Sequence, residues 1–173
     1  MGDSEERYLE AAATYGAALQ RLASAYEADI DQRRDLLQDI HVALWRSLRS
    51  FDGRCSLRTW VYRVAHNTAT SYVIQQSRRR ASTLVSLDEL GSLADPAEGP
   101  QAADRRHSMD QLLVLIQQLK PLDRQVILSY LEGLDAVATA EITGISPGNV
   151  ATKIHRIKQI LAQQFRQGGR NAE

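Results

Sequence analysis

The residues of this chain best suited to chemistry lie between Ser146 and Phe165, where Ser146-Pro147 offers a helix N-cap followed by proline at the first helical position. Val150, Ile154, Ile157, Leu161 and Phe165 recur there at helical spacing, leaving Asn149, Thr152, Lys153, Arg156 and Lys158 on or near the opposite side. An amide, a hydroxyl and three cations on one helix face are the groups that hydrogen-bond base edges and phosphates. Just upstream, Asp135 can cap a short helix ending at Gly144; Ala140 is small enough for a close helix crossing, Gly144 makes the turn, and Ile145 with Val150 seals the pair. The spacing predicts a helix-turn-helix whose second helix enters a DNA groove. The alternative is an αα-hairpin that completes a small bundle and leaves Lys153, Arg156 and Lys158 as a solvated face.

Other chemistry finds little footing. Cys55 is the only cysteine, which excludes an internal disulfide and a zinc site built mainly on thiolates. Cys55, His41, His66, His107 and His155 show neither nucleophile-base nor metal-ligand spacing, so no enzyme, metal or cofactor is expected. His155, alone in an Ile-rich helix, reads as a packing or phosphate-contacting residue.

A formal net charge of zero argues against a nucleic-acid binder, because affinity for DNA comes largely from neutralising phosphates. The zero is a sum of opposed blocks. Met1 to Ile40 holds nine acids and four bases, whereas His41 to Ser86 holds one acid, Asp52, and eight arginines. Leu87 to Asp123 returns to seven acids and three bases, and Arg124 to Glu173 has four acids and six bases.

The elements that must position these groups are helical. Tyr8, Ala12, Tyr15, Leu19, Leu22 and Tyr26 repeat at steps of three and four, predicting a helix from about Ser4 to Tyr26. Ile30, Leu37, Ile40, Leu44 and Leu48 predict a second, ended by Phe51-Asp52-Gly53. Ser56 can cap a third with Trp60, Val61, Val64, Ala65, Thr68 and Tyr72 inward, running towards Arg78-Arg79-Arg80. Between Ser86 and Arg106 the pattern fades among Gly91, Asp95-Pro96 and Glu98-Gly99-Pro100, predicting a flexible connector about which the two modules move independently in the absence of a partner. Periodicity returns at Leu112, Leu115, Ile116 and Leu119, breaks at Pro121, resumes with Val126, Ile127 and Tyr130, and stops at Gly133. The expected fold is all-α: two small helical domains, 1–85 and 107–173, joined by a flexible linker over 86–106, the second containing the helix-turn-helix. No apolar run approaches the roughly 18 residues of a membrane span, so a cytoplasmic protein without membrane insertion is expected.

Longer stretches carry a resemblance. Asp35-Leu36-Leu37-Gln38-Asp39 with Trp45, then Phe51-Asp52-Gly53-Arg54-Cys55-Ser56-Leu57-Arg58-Thr59-Trp60-Val61-Tyr62-Arg63-Val64-Ala65-His66-Asn67, resembles conserved region two of the extracytoplasmic-function sigma factors of the sigma-70 family. Pro121-Leu122-Asp123-Arg124-Gln125-Val126-Ile127-Leu128, Glu132-Gly133-Leu134, Ser146-Pro147-Gly148-Asn149-Val150 and His155-Arg156 similarly resemble their region four. The chain departs from the usual family residues at Gln32-Arg33-Arg34, His41, Leu57, Ser71, Ala136 to Thr139 and Thr143.

The resemblance implies a transcription initiation factor that binds core RNA polymerase and directs it to promoter DNA. Leu36, Leu37, Gln38, Asp39 and Trp45 would dock on the polymerase clamp helices. Phe51, Arg54, Ser56, Arg58 and Thr59 lie in the loop where the family captures a flipped base of the −10 element, and Trp60, Arg63 and Asn67 on the helix facing the melting point. Aromatic faces with polar edges and arginines suit an unstacked base and a displaced strand. At the −35 element, Asn149, Thr152, Lys153 and Arg156 would meet the groove and Arg124 a phosphate. An anti-sigma factor is a further partner that the family often has. The rival reading is a stand-alone helix-turn-helix regulator that binds duplex DNA without polymerase and needs no −10 motif.

Overall fold

The computed structural model describes residues 3–83 and 102–170. Among them are seven α-helices, one 3-10 turn and no strand: α1 (Asp3–Tyr26), α2 (Ile30–Ser47), α3 (Leu57–Thr83), α4 (Ala102–Gln117), α5 (Pro121–Leu131), α6 (Ala136–Thr143) and α7 (Pro147–Arg170). The expected connector lies mostly outside the described residues, and α4 starts inside its predicted range, at Ala102.

Helix boundaries follow local chemistry. The Asp29 side chain accepts from the Asp31 and Gln32 amides and caps α2. Ser56 Oγ accepts from the Thr59 amide and pairs with Thr59 Oγ1 at 2.9 Å, starting α3. Pro121 opens α5 where no amide donor is needed. Asp135 accepts from the Ala138 amide at 2.7 Å to start α6, and Gly144 ends it at φ 78°, a left-handed conformation that costs glycine least. Asp135→Ala should therefore cost about 1 kcal/mol, read as a lower urea midpoint with an unchanged slope.

The first three helices share a core in which Leu19, Leu22, Leu36, Ile40, Leu44, Leu48, Val61, Ala65 and Ala69 are buried. Ile116, Val126, Ile127, Leu134, Ile142, Val150, Ile157 and Leu161 fill the second. The inner face of α3 differs from the expected one: Tyr62, His66 and Ala69 are buried, whereas Trp60, Val64, Thr68 and Tyr72 are only partly so. The reason is that α3 packs against α1 and α2 on one side and against α5 and α6 on another, so its buried arc is wider than one amphipathic stripe.

Across that second contact the two halves are packed together. Gln117 Nε2 donates to the Ser24 carbonyl, Gln125 Nε2 to Thr70 Oγ1 at 2.7 Å, and Ser129 Oγ lies 3.4 Å from His66 Nε2. The Glu132 carboxylate accepts two hydrogen bonds from Arg21, each 2.8 Å, and one from Tyr62 Oη at 3.1 Å. These are polar pairings between residues distant in sequence, which hydrophobic periodicity does not register.

Candidate nucleic-acid interface

The side chains expected to meet a protein partner divide by burial. Leu36 is fully buried in the core of the first half, so it supports the helix and does not touch a partner. Leu37 is half-buried, and Gln38, Asp39 and Trp45 are exposed. Val42, four residues after Gln38, and Arg49, four after Trp45 in the 3-10 turn Leu48–Ser50 that follows α2, complete their stripe. Trp45 is 41% exposed, and the Arg49 guanidinium lies 4.4 Å from the centre of its ring. An indole held open to solvent beneath a cation, one helical turn from the exposed Val42, is an apolar anchor with a charged rim.

The loop between α2 and α3 and the first turns of α3 form a second group. Phe51 and Trp60 meet edge to face with centroids 5.3 Å apart, and Trp60 Nε1 donates to Ser47 Oγ at 3.1 Å. Both rings are partly exposed, and the guanidinium of Arg7 lies 6.0 Å from the centre of the Phe51 ring and that of Arg63 6.0 Å from the centre of the Trp60 ring. Arg54 is exposed and pairs with Asp52 across the Gly53 turn. Thr59 is buried and shares the Ser56 cap, which makes it a positioning residue. Asn67 is exposed one face further along α3. Arg58 and Arg63 reach the other half: Arg58 Nη2 donates to the Glu132 carbonyl, and Arg63 Nε to the Glu141 carbonyl at 3.1 Å.

The third group is on α7. Asn149, Thr152 and Arg156 are exposed on its first turns, over a face in which Val150 and Ile157 are buried. Lys153 is held at 2.6 Å by the Asp123 carboxylate at the start of α5. It ties the turn to the bundle instead of pointing freely outward. Arg124 departs further from expectation: it is 5% exposed, its Nη2 donates to the Gln117 and Leu119 carbonyls, and its guanidinium lies 5.1 Å from the centre of the Tyr26 ring. It satisfies carbonyls at the end of α4 and bridges the halves, and desolvation holds its pKa below the usual arginine value.

Family models match both halves: Sigma-70 region 2 over residues 12–79 and Sigma-70 region 4 over residues 109–161. The chain is 28% identical over 134 residues to the ECF RNA polymerase sigma-E factor of Escherichia coli K12, covering 73% of this chain and 70% of that one. It belongs to the sigma-70 family, in its extracytoplasmic-function branch. The Haemophilus influenzae sigma-E factor is 26% identical to this sigma factor over 138 residues, covering 76% of the chain and 73% of that relative. Among solved structures, the sigma factor RpoE of Bartonella quintana, in complex with the anti-sigma factor NepR, shares the fold with a TM-score of 0.70 at 19% identity, over 92% of this chain and 96% of that one. CnrH, in complex with the cytosolic domain of CnrY, does so with a TM-score of 0.64 at 20% identity, over 92% and 88%.

Sequence reasoning passed over Val42, Arg49, His66 and Glu132. Val42 and Arg49 were legible as helical neighbours of Trp45. His66 and Glu132 carried no local signal, since their partners Tyr26, Ser129, Arg21 and Tyr62 lie far away along the chain. Two of the departures from family residues have partners within the first half: His41 Nδ1 lies 3.2 Å from Tyr8 Oη, and Gln32 Oε1 accepts from Tyr72 Oη and Gln76 Nε2.

Proposed function

We propose that this sigma factor holds core RNA polymerase through the exposed stripe of α2, centred on Trp45 and Val42 with Gln38, Asp39 and Arg49 at its rim. The loop with Phe51, Arg54 and Ser56, together with Trp60, Arg63 and Asn67, captures the unstacked −10 strand. Asn149, Thr152 and Arg156 on α7 read the −35 element. The two domains are 1–85 and 107–173. The observation that carries this reading is the pairing, on one chain, of a region 2 match that contains the partly exposed Phe51 and Trp60 with a region 4 match that contains a capped helix-turn-helix. Its work is binding and strand separation in the cytoplasm, without chemistry of its own. Among the described residues, no helix is long and apolar enough to cross a membrane. An anti-sigma factor is a further partner in this reading.

Transcription in vitro with bacterial core polymerase and a randomised promoter library tests the proposal. Recovery of promoters sharing −10 and −35 elements is expected only when both proteins are present. Tight duplex binding by the free chain, with no polymerase-dependent selection, would favour a stand-alone regulator.

Burial assigns different consequences to two cations that look alike in sequence. Arg156→Ala should cost the holoenzyme about 1–3 kcal/mol on its selected promoter and less on a −35-mutated one. Arg124→Ala should instead lower the unfolding midpoint while leaving the salt slope of DNA binding unchanged, because Arg124 faces carbonyls and not phosphate. Filter binding over a salt series and urea denaturation separate the two.

A further inference from the structure

The region 2 match begins at residue 12, but α1 begins earlier, at Asp3. These extra turns are fastened beside the loop between α2 and α3. Arg7 stands one helical turn before Ala11, which is fully buried, so its half-buried side chain continues the core-facing row of α1. Its guanidinium lies 6.0 Å from the centre of the Phe51 ring. Tyr8, the next residue, ties the same turn to α2: its Oη is 3.2 Å from His41 Nδ1, and the two rings meet edge to face with centroids 6.1 Å apart. His41 is one of the positions at which the chain departs from the usual family residue, so the anchoring of Arg7 is built from residues particular to this chain.

Arg7 is the only cation before Arg21 in the sequence, and it stands among the acids Asp3, Glu5, Glu6 and Glu10. A lone cation in an acidic stretch is not a solvated basic run, and its placement against an aromatic ring sets it apart from one. Phe51 and Trp60, partly exposed and edge to face at 5.3 Å, each have a guanidinium 6.0 Å from the ring centre, Arg7 from α1 and Arg63 from α3. Single-stranded nucleic acid is held by this combination, with rings that meet bases and cations that meet the phosphates between them.

We propose that Arg7 is a further contact to the −10 strand: from α1, outside the family match, its guanidinium binds a backbone phosphate beside the base that meets Phe51. Tyr8 and His41 are its positioning residues. The inference rests on the assignment of Phe51 and Trp60 to the −10 strand, and its test keeps the two apart.

Holoenzyme formed with bacterial core polymerase is titrated by fluorescence anisotropy with a single-stranded oligonucleotide carrying the −10 element recovered from the promoter library, over a salt series. A scrambled oligonucleotide of the same length runs alongside. Arg7→Ala should weaken binding of both by about five- to tenfold at low salt and lower the salt slope by about 0.7, the value for one phosphate on a single strand. Arg7→Lys, which keeps the charge, should keep the slope. Tyr8→Phe, which removes the contact to His41 and leaves Arg7 in place, should show a smaller loss of the same kind. Urea midpoints on the same preparations confirm that each variant is folded.

Wild-type affinity and slope in Arg7→Ala would overturn the inference. So would a loss of affinity at the wild-type slope, because Arg7 would then only brace Phe51. Phe51→Ala identifies the other failure: if it binds the selected oligonucleotide as the wild type does, the loop is not the −10 site, and the role of Arg7 falls with it. A defect in Phe51→Ala beside a normal Arg7→Ala would remove Arg7 alone.

Discussion

Lowering the pH from neutrality to about 5 should cost the packing of the two halves about 2 kcal/mol relative to any state in which His66 meets water. His66 is fully buried where the two halves meet, and desolvation pushes its pKa down to about 3, against a weaker opposing pull from the Glu132 carboxylate. Its ring faces Tyr26 Oη at 3.0 Å from α1, Ser129 Oγ from α5 and the Tyr62 ring on its own helix, while Arg21 and Glu132 line the adjoining cavity. None of these stabilises an imidazolium strongly enough to offset the lost hydration. The folded pKa lies below the ordinary histidine value, so the stabilisation is complete above about pH 6.5 and is lost as the pH falls towards 3. The Glu132 carboxyl is held low chiefly by the Arg21 hydrogen bonds, and its contribution also disappears on acidification, so both groups act in the same direction. Urea midpoints measured against pH provide the check. His66→Gln should flatten the dependence between about pH 6.5 and 5, and an unchanged dependence would show that another group is responsible.

The second large effect separates two residues that sit nine positions apart in one helix. Trp45→Ala should weaken binding to core polymerase by about 2 kcal/mol or more, since an exposed indole at the centre of a contact is the usual anchor. Its effect on the urea midpoint should be small. Leu36→Ala should do the reverse, removing about 2–5 kcal/mol of folding stability from a fully buried site. Any loss of polymerase binding should follow from unfolding alone. Core-polymerase affinity by fluorescence anisotropy, with denaturation on the same preparations, reads both. Loss of affinity in Leu36→Ala at temperatures where it is fully folded would place Leu36 in the contact after all.

How much of this was legible in the sequence depends on range. The helix-turn-helix was readable because each of its boundaries is set by adjacent residues: the Asp135 cap, Gly144 in the left-handed region, and Ser146-Pro147 at the next start. The long α2 and α3 were readable for the same reason, from Asp29, Ser56 and the apolar period. The orientation of cations was not. Arg124, Lys153, Arg58 and Arg63 read as DNA contacts from the family resemblance and their places along the helices, yet each is engaged by a carbonyl or carboxylate between 5 and 78 positions away. Leu36 and Thr59 also show that a motif residue can matter through packing or capping alone. The contact between halves was missed most completely, because it joins residues far apart along the chain and its hydrogen-bonded pairs leave no period behind.

The caps and the buried row of α7 leave Asn149, Thr152 and Arg156 exposed and outside the core. Exchanges at such sites usually change stability by no more than about 0.5 kcal/mol. If these side chains read the groove as proposed, divergence of target sites is inexpensive for this molecule: mutation can sample new combinations while the turn persists, and selection meets them as differences in gene choice instead of misfolded protein. Lys153 is the exception, since its bond to Asp123 makes any exchange there a structural event as well. Drift in promoter preference across descendants should run through the three free positions first, with 123 and 153 changing together or not at all.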